Sequence, residues 1–110
     1  MTRVMVERES GGKIVAFSVE GHAGFAKHGS DIVCAAVSVL AQTAVLGLTQ
    51  VLGAAAAVRQ EDGLLACRLP AEMKPEDRRG ADLILETMLA GLKDISGQYP
   101  RHVVLLESHE

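Results

Sequence analysis

From residue 32 to residue 58 the chain carries no charged side chain. A run of that length has two outcomes, a helix packed inside a protein or one that spans a bilayer. Ser38, Gln42 and Thr49 fall on one side of a helical projection with Thr43 and Gln50 beside them, so the helix has a polar edge. Gly53 and the alanines after it read as a helix end followed by a strand. No cluster of Lys or Arg flanks the run, as a cytoplasmic anchor would require. The expectation is a buried helix of a soluble protein, with no membrane partner.

The rest of the chain falls into place around that helix. Residues 3–9 and 13–20 alternate apolar and polar side chains about Ser10-Gly11-Gly12, which predicts a β-hairpin. Residues 21–30 break all periodicity and read as a glycine-rich loop, with a helix opening near Asp31, capped by Ser30 or Asp31, and running to about Leu52. Asp62-Gly63 turns a second hairpin of residues 54–60 and 64–69. Pro75 with Glu76 and Asp77 suits a helix start. Ile84, Met88, Leu92 and Ile95, flanked by Leu85 and Leu89, then give one apolar face up to Gly97. A last strand follows at 101–107. The order ββαββαβ predicts an α+β fold, two helices packed on a mostly antiparallel five-stranded sheet, within a single domain over residues 1–110.

Composition narrows the function. The 110 residues carry a net charge of −3, with aromatic residues at only 3 %. Scattered basic residues and few stacking rings argue against nucleic acid as a direct partner. The N-terminus lacks the charged segment and apolar run of a secretory leader, which points to a reduced, cytoplasmic setting. Cys34 and Cys67 stand too far apart for a CxxC pair, and none of the four histidines has a metal-ligand spacing. No metal or organic cofactor is called for.

The chemistry concentrates between residues 21 and 38, where a histidine lies in the glycine-rich loop and a cysteine just inside the helix. A thiol attacks as thiolate, and a reference pKa of about 8.5 leaves only a few per cent of it ionised at neutral pH. At the third or fourth helical position Cys34 would sit among unpaired N–H groups and the positive end of the dipole. Its own N–H would then serve as an oxyanion donor. This reading makes Cys34 the nucleophile and His22 the general base. Asp31 either caps the helix or orients His22. Ser38, one turn on, either supports the site or bonds back to its own helix. Gly21, Gly24 and Gly29 would let the loop close over an extended peptide. His28 is expected in the loop, and His102 and His109 at the solvated surface. Cys67 shares a strand face with Leu65 and Leu69 and should be packed and unreactive.

The block Gly21-His22-Ala23, a short variable stretch, then Gly29-Ser30-Asp31-Ile32-Val33-Cys34-Ala35-Ala36-Val37-Ser38 closely resembles the ribosomal-processing cysteine proteases of bacteria. The length and order of elements fit that family over almost the whole chain. The resemblance implies a homodimer. It also implies removal of a short N-terminal extension, after an aromatic residue, from ribosomal protein twenty-seven of the large subunit. Two other readings stand beside it: a non-catalytic, ribosome-associated module for peptide binding or assembly, and a peroxide-sensing thiol.

Overall fold

The computed structural model describes residues 1–21 and 28–109, with only the backbone at 28–31. The elements follow the expected order. They are β1 (Thr2–Arg8), β2 (Ile14–Glu20), α1 (His28–Leu46), β3 (Ala57–Glu61), β4 (Leu64–Arg68), α2 (Pro75–Gln98) and β5 (Val103–His109). The five strands form one sheet in the order β3-β4-β2-β1-β5. β5 runs parallel to β1, pairing Thr2 with Val103 and Arg8 with His109, and the other three pairings are antiparallel.

Alternation along the strands decides which face the helices cover. Val4 and Val6 of β1, Phe17 and Val19 of β2, and Leu65 and Cys67 of β4 are buried beneath them. A bulge between Glu7 and Arg8 breaks this alternation. The Arg8 guanidinium bonds Glu86 of α2 at 2.8 Å, Glu107 of β5 at 2.9 Å and the Gly12 carbonyl at 2.7 Å. The turns use glycine where the chain needs a left-handed residue, with Gly63 at φ 76° between β3 and β4.

α2 starts as expected, with Pro75, Glu76 and Asp77 in its first turn. It buries Ala81, Leu85, Met88, Leu89 and Leu92, while Ile84 and Ile95 lie half-buried along its border. Close approach to α1 depends on small residues. A Cβ added at Gly91 would stand 3.0 Å from Leu40 Cδ1.

α1 continues through one wider π turn, Gly47–Val51, in which the Leu52 N–H donates to the Gly47 carbonyl at 2.9 Å. Gly53 at φ 74° then ends it, and the Ala54 N–H returns to the Leu48 carbonyl at 2.8 Å, as a left-handed C-terminal cap does. The charge-free run is therefore a helix that ends where expected, but it is not a buried one. Val33, Val37, Ala41, Ala44 and Leu48 face the core. Ile32, Val39, Leu46 and Val51 on the outer side are 72, 62, 50 and 86 % exposed. By length and composition the segment Ile32–Val51 could cross a bilayer. Here its inner side packs on the sheet and on α2.

Candidate active site

The frame of the site is built by β2, α1 and the β3–β4 turn. Gly21 ends β2 and donates its N–H to the Gly63 carbonyl at 3.0 Å. A side chain here would be crowded, since an added Cβ would lie 3.2 Å from Thr2 Oγ1 and 3.4 Å from Thr2 Cα. Expected as a loop hinge, Gly21 is instead a half-buried anchor between the first strand and the second hairpin. Sequence reasoning missed Thr2 and Gly63 as its partners, because a contact between distant segments leaves no local signal.

The helix start also differs from expectation. α1 begins at His28 rather than near Asp31. His28, Gly29 and Ser30 are therefore helical, and Asp31 lies within the first turn rather than at the cap. Cys34 falls in the second turn instead of the first. Its N–H is directed at the carbonyl four residues earlier in the helical ladder, so it is not an orphan donor for an oxyanion. The dipole's influence fades within the first turn, and Cys34 lies beyond that turn. His22 and Gly24 lie outside the described residues.

Cys34 is half-buried. Ser38 is half-buried one turn further on, about 40° round the helix from it, so the two share a side of α1. Cys67 is the contrast. It is 3 % exposed opposite Phe17 on β2, and burial pushes its thiol up to about 11. That places it in the core, as the strand pattern predicts. His109 is exposed as expected, but His102 is half-buried just before β5, where its carbonyl accepts the Thr2 N–H at 2.8 Å. Among the described residues no group of three His, Cys, Asp or Glu could hold a metal.

A two-layer α+β fold with an accessible thiol near the start of a helix that leaves a glycine-rich, histidine-bearing segment describes a small thiol enzyme. Comparison with known proteins makes this specific. The family model described as cysteine protease Prp matches residues 1–104. The ribosomal processing cysteine protease Prp of Bacillus subtilis is 31 % identical over 101 residues, 90 % of each chain. The structure of the essential ribosomal processing protease Prp from S. aureus with a substrate peptide superposes with a TM-score of 0.86 at 25 % identity, covering 98 % of this chain and 100 % of that one. The same protease with a covalently linked product peptide gives 0.82 at 27 %, with the same coverage. The chain belongs to the cysteine protease Prp family. It is thus an enzyme, and the reading as a non-catalytic module falls away.

Proposed function

We propose that this protein is a cytoplasmic endopeptidase that removes a short N-terminal extension, after an aromatic residue, from ribosomal protein twenty-seven of the large subunit. It acts as a homodimer, without metal or organic cofactor and without touching nucleic acid or membrane directly. The observation that carries this reading is the block from Gly21 to Ser38, with Cys34 accessible on a helix anchored behind it, in a family whose S. aureus member is solved with substrate and with covalently linked product.

In the proposed reaction His22 takes the proton from Cys34 Sγ, and the thiolate adds to the scissile carbonyl. The imidazolium then protonates the amine of the mature protein, which leaves. The extension stays as a thioester on Sγ until a water molecule, deprotonated by His22, hydrolyses it and regenerates the thiol. With Cys34 one turn deeper than the helix end, this scheme relies on His22 for activation more than on the dipole. Asp31, no longer a cap, is left with the role of orienting His22. Ser38 supports the same side of the helix.

The test is intact mass of the precursor protein after incubation with wild type, with Cys34→Ala and with His22→Ala. Wild type should release one defined N-terminal fragment, and both variants should lose at least about 1,000-fold in rate. An uncut precursor with wild type would end the substrate assignment. Equal cutting by Cys34→Ala would end the assignment of the nucleophile.

A further inference from the structure

We propose that the substrate chain lies extended in a trough between the Cys34 side of α1 and the inner face of β3, where Val58 and Gln60 select a stretch of uncharged residues. The proposal rests on Cys34 as the nucleophile and names the surface that would hold the peptide it attacks. α2 lies over β5 and β2, and α1 over β2 and β4. α1 meets α2 through Leu40 and Gly47, which stand against Gly91 and Ile84. Leu40 is about 120° round the helix from Cys34, with the core-facing Val33, Val37 and Ala41 between them. Cys34 therefore sits on the margin of α1 turned away from α2 and towards β3. Ser38 and Val45 lie within about 40° of it on the same margin, and both are half-buried.

Beyond that margin the helical layer stops and the sheet continues. On β4, Leu65 and Cys67 face α1 and are only 8 and 3 % exposed. Their partners on β3 are Gln60 and Val58, which share that face, because residues directly opposite in an antiparallel pair point the same way. Yet Val58 is 43 % exposed and Gln60 is exposed too. β3 is thus a shelf beside the thiol. The chain passes from the end of α1 to Ala57 in a few residues, so Cys34 stands towards the other end of the shelf, where the β3–β4 turn holds Gly21. From Cys34 to Val45 the helix rises about 17 Å, the reach of about five extended residues.

The chemistry of the lining fits a peptide without charged side chains. No charged residue lies between residues 32 and 58, and the charges of β3, Arg59 and Glu61, pair with each other at 3.0 Å on the opposite face. A charged side chain lowered into the trough would lose its hydration and find no counter-charge. Polar groups suited to a peptide backbone are at hand. Thr49 ties its hydroxyl to the Val45 carbonyl, whereas Ser38, Gln42 and Gln60 have no side-chain partner among the described residues. A hydroxyl and two amides can each donate and accept, and Val58 supplies an apolar floor. The free edge of β3 is a poorer berth, because a strand added there would lie in the plane of the sheet, a layer below the thiol.

Alkylation of Cys34 by two chloromethyl ketones, acetyl-phenylalanyl and acetyl-tetraalanyl-phenylalanyl, tests the proposal, with iodoacetamide as a probe that needs no trough. In wild type the longer ketone should react at least about 10-fold faster than the shorter one. Val58→Glu should abolish that advantage, and Gln60→Ala should reduce it about threefold. Ala57→Glu, which adds the same charge on the opposite face of the same strand, should keep it. Iodoacetamide should react within about twofold of wild type in all three variants, with unchanged circular dichroism spectra. Equal rates for the two ketones in wild type, or no reaction of either, overturn the trough. So does an advantage that survives Val58→Glu or is lost equally in Ala57→Glu. A length advantage that Val58→Glu removes, in a protein that leaves the ribosomal precursor uncut, would end the substrate assignment and leave the trough standing.

Discussion

α1 and α2 lie side by side on one sheet, but they are held there by different means. α2 is fastened by charge as well as by packing. Glu86 meets Arg8, Lys93 reaches Glu107 at 3.5 Å, and Arg78 binds Glu9 at 3.5 Å and the Ile14 carbonyl at 3.1 Å. Among the described residues α1 has no such ties from residue 32 onward. It is held by one row of apolar side chains, and its only side-chain hydrogen bond among the described residues runs from Thr49 Oγ1 to the Val45 carbonyl within the helix. α2 thus serves as scaffold, while α1 carries the half-buried Cys34 on one side and exposed, uncharged residues such as Ile32 and Val39 on another.

The largest test of this division uses the two thiols. Cys34, accessible on α1, should alkylate in the native protein at least about 100 times faster than Cys67, which is buried and has its thiol pushed up to about 11. In mild denaturant the two rates should converge. Comparable native rates would mean that the core around Cys67 opens readily and that β4 is no more fixed than α1.

Leucines on α2 sharpen the scaffold side of the comparison. Leu92 is fully buried and Leu83 is 71 % exposed. Leu92→Ala should cost about 2–5 kcal/mol in denaturant unfolding. Leu83→Ala, measured at a concentration where the protein is monomeric, should stay within about 0.5 kcal/mol. Equal costs would remove the distinction between the buried and outward sides of the helical layer.

The smallest effect concerns the ionic ties. Arg8 beside Glu86 and Glu107 holds both carboxyls below the usual range. The unfolded chain therefore binds protons more readily than the folded one as acid is added. This stabilisation is present above the unfolded value of about 4.3 and is lost as pH falls through the folded values. Glu86 is 49 % exposed, so the pair contributes about 1 kcal/mol or less. Arg8→Met should lower the melting temperature by several degrees at pH 7, with the gap to wild type narrowing below about pH 4. A constant gap from pH 7 to pH 3 would show that Arg8 acts through packing and its bond to the Gly12 carbonyl.

What was legible in the sequence is what short-range chemistry controls. Gly53, Asp62-Gly63 and Pro75 marked their boundaries because backbone angle or a missing N–H constrains each of them locally. The start of α1 was not legible, because Gly29 and Ser30 carry loop signals, whereas a helix tolerates one glycine for about 1 kcal/mol. Asp31 misled for a related reason, since an acid is as favourable inside the first turn as at the cap. The exposure of α1 was hidden too. A charge-free run reads as buried whether its cover comes from the same chain or another. Of the site, the residues and their order were visible in the motif. The anchoring of Gly21 and the depth of Cys34 depend on tertiary contacts and on where the helix begins.

The parallel pairing of β1 with β5 has a consequence for how the molecule comes into being. During synthesis one edge of β1 waits for a partner that follows it by about a hundred residues. Until then the nascent chain has hairpins and helices but an open seam beside its first strand, where another strand could pair. Thr2, against which Gly21 is seated, belongs to that same strand. The strand that seats Gly21 is thus also the one whose second edge is closed by the most distant partner in the sheet.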